Sequence, residues 1–317
     1  MRTLPMVDTF HYGPSKYVPF RDVAQIERCR CITREEIEKH PNPAFRIRVR
    51  PADEIEFIWV ADMFRRIKQS DDENRRVVLI VPNPCPTVYR KVAHLVNLFS
   101  VSCRNLYVFA MDEYANEEGT IAPENWQFGF MHSLLQSLYG EIRDELRPPR
   151  EQVLGPTNAN IHEYGKMITD LGEADICYSG PGWTGHVAFV EPDAPEFDAP
   201  LEEWKMFGPR ICTLSPFTLA QNSLHGSFGL SGDIAAVPPK AATIGPEQVI
   251  AAKNRIEMAG ISVHGTATAW QRLIARLCYH GPVTPRLPSS IHQELRTDCY
   301  ISEIIARNIE PDWEKGY

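Results

Sequence analysis

From residue 45 onward the chain alternates two kinds of apolar pattern. Stretches with apolar residues three and four apart give way to short runs that are apolar throughout. Asp53–Gln69 puts Ile55, Ile58, Trp59, Met63 and Ile67 on one helical face. Val77–Val81 (VVLIV) is a continuous apolar run, as expected of a strand covered on both faces. Pro86–Phe99 reads as a helix with Pro86 in its first turn, and Asn105–Ala110 as the next buried strand. Glu124–Ile142 and Ile161–Leu171 read as helices. Asp175–Ser179 and Ile256–Val263 read as strands, and Thr266–Tyr279 as the helix that follows. Strands that alternate with helices predict a parallel sheet with helices on both faces.

Before residue 45 the pattern breaks down. "PSKYVPF" and "KHPNPAF" are proline-marked interruptions, and only Ile32–His40 between them has the makings of a short helix. The expected organisation is an N-terminal extension, residues 1–44, packed on a single α/β domain, residues 45–317.

Composition narrows the function class. The chain has 317 residues, 43% hydrophobic and 23% charged, with a formal net charge of −8. That balance lacks the basic footprint of a nucleic-acid binder. No run approaches the ~18 apolar residues of a membrane span, and no apolar signal core opens the chain. The eight cysteines are dispersed, several within apolar runs, which reads as buried thiols in a reducing cytoplasm. "CRC" at Cys29–Cys31 has no second pair at metal-ligand spacing, so neither a metal nor a cofactor is expected.

In open α/β sheets ligands gather at the carboxyl ends of the strands. Four loops qualify: "PNPCP" after Val81, "MDEYANEEG" after Ala110, "GPGWTGHVAFVEP" after Ser179 and "HGTATAW" after Val263. They bring Asp112, Glu113, His186, Glu191 and His264 toward one end of the sheet.

"MDEY", "PENWQFGFMH", "GPGWTGHVAFVEP" and "HGPVTPRLPSSIHQ" occur in an order and spacing that resembles the glucosamine-6-phosphate deaminase (isomerase) family. That family shares its fold with 6-phosphogluconolactonases. The resemblance spans about residues 45–293. It implies a Rossmann-like three-layer α/β/α sandwich with a mostly parallel sheet. It also implies three catalytic residues. His186 would open the sugar ring, Glu191 would orient it, and Asp112 would carry a proton between C2 and C1. Imidazole suits the first task because it titrates near neutrality. A lone histidine beside glycine is in itself most often a structural hydrogen-bonder. The company of the other motifs turns the reading toward chemistry.

Around these, the expected substrate contacts are Asn83, Pro84 and Cys85 in the first loop and Trp183, Thr184 and Gly185 before the histidine. Glu113, His264 and Thr268 complete the set, although helix capping is the plainer role for Glu113. Trp183 and Trp126 can each stack on a sugar or simply fill the core.

The departures from the family are informative. Its Gly/Thr-rich phosphate loop is replaced by "VPNPCPT", where Pro82, Pro84 and Pro86 offer no N–H. Leu224 stands where the family has an arginine, and Thr268 where it has a lysine. Arg210, His225, Lys240 and Arg286 are the cations near these loops. Thr184 replaces an acid two residues before His186, which removes a charge beside the imidazole. The expected ligand is a small sugar or amino sugar not held by the usual phosphate site. Two classes remain open. One is a sugar isomerase or deaminase, with a lactonase-like hydrolase as its variant. The other is a catalytically silent sugar-binding homologue. Neither nucleic acid nor membrane is an expected partner, and the sequence leaves homo-oligomer formation open.

Overall fold

The computed structural model describes residue 10, residues 12–260, residues 269–312 and residue 314. Ten strands run in chain order as β1 Phe45–Arg50, β2 Val77–Val81, β3 Leu106–Ala110, β4 Asp112–Ala115 and β5 Val153–Leu154, then β6 Ile176–Ser179, β7 Arg210–Thr213, β8 Lys240–Thr243, β9 Arg255–Ala259 and β10 Thr297–Ser302. Seven form one sheet in the order β1-β10-β9-β6-β2-β3-β5. Every pairing within it is parallel. The other three form an antiparallel sheet, β4-β8-β7.

Strand β2 shows how the layers arise. Val77, Leu79 and Val81 pack into one hydrophobic cluster, with Ile55, Trp59 and Met63 of helix Ala52–Asp72 and Val88, Tyr89 and Val92 of helix Pro86–Leu98. Val78 and Ile80 point to the opposite cluster, with Tyr164, Trp204 and Val249 of three short helices and Tyr114, Cys212 and Ala241 of the antiparallel sheet. Side chains alternate across a strand, so a run buried on both sides has to be apolar at every position. The result is a Rossmann-like three-layer α/β/α arrangement around a parallel sheet.

The helix and turn that precede β1, residues 23–38, are built onto one edge of this sheet. Helix Val23–Arg30 is capped by Asp22, whose carboxylate accepts from the Gln25 amide at 3.1 Å. Its Ile26 and Cys29 join Ile37, Phe45, Tyr279 and Ile301 in a third cluster. The helix expected at Ile32–His40 is only a turn over residues 34–38. Thr33 and Glu36 exchange hydrogen bonds there, and Pro41 follows at once.

Two further expectations change. The loop expected after β3 turns directly into β4, because Met111 bonds both ways: its amide to the Val81 carbonyl at 3.0 Å and its carbonyl to the Ile244 amide at 2.8 Å. The helix expected from Glu124 starts only at Phe130, and it continues past Leu134 with π-helical pairing through Tyr139. Its first turn is capped by a residue distant in sequence. Glu113 accepts from the amides of Phe130 at 3.0 Å and Met131 at 2.8 Å. The six residues before it form turns through Trp126 and Gly129. Among the described residues no helix is long and apolar enough to cross a membrane.

Candidate active site

Strand order reverses between β2 and β6. From β2 the chain moves to β3 and on toward β5; from β6 it moves the other way, to β9 and β10. Loops leaving such neighbours diverge and open a crevice. A cavity of about 170 Å³ lies there. Pro82–Cys85 after β2, Asp112 at the β3–β4 corner and Ser179–Gly182 after β6 supply much of its wall, together with His186.

His186 is held from behind. Gly185 takes a left-handed φ of +84°, a conformation that favours glycine. Ser289 then clamps the loop, its amide donating to the Gly185 carbonyl at 2.8 Å and its hydroxyl to the His186 carbonyl at 3.0 Å. The imidazole Nδ1 lies 3.0 Å from Thr184 Oγ1 and 3.1 Å from Thr218 Oγ1. Thr184 Oγ1 in turn donates to Glu191 Oε2 at 2.9 Å. A hydroxyl has one proton, and here the carboxylate takes it. Thr184 therefore accepts from Nδ1–H, which leaves the lone pair on Nε2. Nε2 makes no hydrogen bond to a described residue and lies against Gly182, where an added Cβ would come within 1.8 Å of it. The position that lost its acid thus carries a neutral link between His186 and Glu191.

Asp112 is 5% exposed, and its Oδ1 has no hydrogen-bond partner among the described residues. Burial, and then the neighbouring Glu113 carboxylate, push its pKa well above the ordinary value. Burial also pushes Glu113 up, against the opposing pull of the amides of Met131, Phe130 and Tyr114. Cys85 is pushed up to about 12 by burial and by Asp112, so the thiolate nucleophile is suppressed.

Of the residues singled out from sequence, Asp112, His186, Asn83, Pro84 and Cys85 line the cavity. Glu191 does not. It is fully buried behind the histidine, with Oε1 3.4 Å from Nδ1. Glu113 is the helix cap, and Thr184 and Gly185 lie behind His186 rather than on the cavity wall. Trp183 is outside the lining too. It stacks on Trp270, ring centroids 5.6 Å apart, and Trp270 reaches the cavity. Trp126 packs on Tyr114 and Phe128 instead. His264 and Thr268 fall outside the described residues.

Trp59, Gln221, Asn222 and Gln271 line the cavity without having been foreseen. Trp59 reads from sequence as one more residue on the apolar face of its helix. Its unpaired indole N–H is what sets it apart. Asn222 sits in the "QNSL" stretch, where attention goes to Leu224. Of the four nearby cations only His225 reaches the cavity. Arg210 donates to the Glu196 carbonyl at 2.7 Å, Lys240 to the Glu117 carbonyl at 2.7 Å and Arg286 to the Pro192 carbonyl at 2.7 Å. No lysine or arginine lines the cavity among the described residues.

No family model matches the chain. It is 29% identical over 238 residues to the glucosamine-6-phosphate deaminase of Yersinia enterocolitica, covering 68% of this chain and 80% of the relative. The enzyme of the same name from Lachnoclostridium phytofermentans is 26% identical over 220 residues, 67% of this chain and 80% of the relative. Among solved structures, a monomeric glucosamine-6-phosphate deaminase superposes with a TM-score of 0.66 at 19% identity, over 82% of this chain and 98% of the other. The 6-phosphogluconolactonase of Leishmania guyanensis gives 0.58 at 12% identity, over 84% and 98%. The chain is thus similar in sequence to glucosamine-6-phosphate deaminases, and it shares the fold of a deaminase of that name and of 6-phosphogluconolactonases.

Proposed function

We propose that this chain is a sugar isomerase or deaminase whose substrate is not held through the family's phosphate contacts. One observation carries the reading: Asp112 and His186 open into one cavity at the switch point of the sheet, one desolvated carboxylate and one imidazole with its lone pair inward. His186 Nε2 takes the proton of the anomeric hydroxyl and returns it to the ring oxygen as the C1–O bond of the ring breaks. Thr184 and Glu191 hold the tautomer that can do this. Asp112 then removes the C2 proton of the open chain and delivers it to C1 through an enediol-like intermediate. Its raised pKa makes it a stronger base than an exposed carboxylate, and burial keeps it close to the carbon acid. With an amino sugar, the imine formed at C2 is hydrolysed and releases ammonia.

The rest of the cavity supports the altered substrate. Proline occupies the first loop at Pro82, Pro84 and Pro86, and Leu224 lines the wall. A phosphate without backbone amides, arginine or lysine around it is costly to desolvate. The test is exchange of the C2 proton with solvent. Asp112→Asn is expected to lower the exchange rate by ~10²–10⁴. Normal exchange in this variant would remove the carboxylate from the mechanism.

A further inference from the structure

Five buried polar atoms without a hydrogen-bond partner among the described residues belong to residues that line one cavity. They are Trp59 Nε1, both amide atoms of Asn83, Asn222 Nδ2 and Asp112 Oδ1. Trp59 is 2% exposed and Asn222 1%. An unpaired buried polar group costs free energy, and native chains rarely carry several together without a reason. On the same wall Gln271 is satisfied, bridging the Gly260 amide at 2.6 Å and the Pro181 carbonyl at 3.1 Å. Residues that line the cavity therefore carry hydrogen-bonding atoms that the described residues leave open.

The kinds of atom left open describe what would close them. Trp59 Nε1–H and Asn222 Nδ2 are donors and call for acceptors such as hydroxyl oxygens. Asn83 can both give and accept. Asp112 is the only carboxylate on the wall, and no lysine or arginine faces it among the described residues. Residues 261–268 contain neither. A cationic amine on the ligand would pair with Asp112, whereas a dianionic phosphate would meet a like charge with only the imidazoles of His186 and His225 to offset it among the described residues.

We infer that the cavity recognises a monosaccharide that carries an amine and no phosphate, with Trp59, Asn83 and Asn222 reading its hydroxyls. This deepens the sugar-enzyme reading above and rests on it for the class of ligand.

Calorimetry on the full chain decides it, with glucosamine, glucose and glucosamine 6-phosphate as the probes. Glucosamine is expected to bind at least tenfold more tightly than glucose, the value of one charge-assisted hydrogen bond, and at least tenfold more tightly than glucosamine 6-phosphate. Trp59→Phe and Asn222→Leu are each expected to weaken glucosamine about three- to tenfold, one neutral hydrogen bond apiece. Their unliganded melting temperatures should equal or exceed that of the parent, because each removes an unpaired group. A lower melting temperature with unchanged glucosamine affinity would assign both residues to structure and overturn the inference. So would equal or tighter binding of glucosamine 6-phosphate, or no heat with glucosamine at millimolar concentration. Binding is read here instead of turnover. Glucosamine that binds without reacting sinks the proposed reaction and leaves this inference standing; turnover of tightly bound phosphorylated sugar does the reverse.

Discussion

Replacing Thr184 by valine keeps the shape of the side chain and deletes the hydroxyl between His186 and Glu191. Two hydrogen bonds vanish, at 3.0 and 2.9 Å. Glu191 is fully buried, and its Oε1 already lacks a hydrogen bond. The substitution leaves both oxygens of that carboxylate bare. A hydrogen bond to a charged group contributes ~1.5–3 kcal/mol and a neutral one ~0.5–1.5 kcal/mol. Thr218, 3.1 Å from Nδ1, takes over part of the second. The expected loss is about 2–4 kcal/mol of stability, a fall in melting temperature of roughly 4–8 °C for a chain of this size. Turnover should fall ~10–10²-fold in kcat with KM nearly unchanged. That is less than the ~10⁴ seen when a carboxylate that orients a catalytic histidine is neutralised, since Thr218 still accepts from Nδ1. Thr184→Ser retains the hydroxyl and should retain both properties. Thermal unfolding and steady-state kinetics on the three proteins suffice. A valine variant that melts within a degree of the parent and turns over at the parental rate would show that the link is idle.

Glu113→Gln should lower stability by ~1–2 kcal/mol, through the weakened cap on Phe130 and Met131. The Glu113 charge raises the pKa of Asp112, so its removal should move the acid limb of the kcat/KM–pH profile to lower pH; a limb that stays or rises contradicts the coupling. Gly182→Ala places a methyl 1.8 Å from His186 Nε2, so the imidazole has to move and kcat should drop by ~10² or more, with parental kcat refuting the inward orientation of that nitrogen. Leu224→Arg adds a guanidinium to the cavity wall and should tighten glucosamine 6-phosphate ~10–100-fold by calorimetry; unchanged affinity would mean that charge is not what the wall lacks.

The parallel sheet was legible because its central strands are covered on both sides. Val77–Val81 and Leu106–Ala110 have to be apolar throughout, and no other local structure explains five such residues between helical patterns. Asp112 and His186 were legible as a pair because both follow such strands. The small sheet was not. Lys240–Thr243, "KAAT", buries alanines on both faces and shows no alternation to read. The late start of the helix at Phe130 was hidden too, because its cap comes from Glu113, 17 residues earlier. Trp59 was placed on the correct face of its helix, but periodicity says which side is buried and not what lies there. The substitution at Thr184 looked like the loss of a charge. Only three-dimensional contacts reveal a hydroxyl linking the two neighbours.

The pairing of β1 with β10 has a consequence for synthesis on the ribosome. Arg46 of β1 and its ion-pair partner Asp298 of β10 are 252 residues apart. At ~5–20 residues per second, about 10–50 s pass between their emergence. Throughout that interval Phe45–Arg50 lacks β10, its only partner strand among the described residues. Helix Val23–Arg30 waits as well, since Cys29 and Ile26 are covered by Gln271–His280, made almost as late. The middle of the sheet can close long before either arrives. A nascent chain of this protein thus carries a sticky segment throughout that interval, and a chaperone that binds short apolar stretches would find its target in Phe20–Val49.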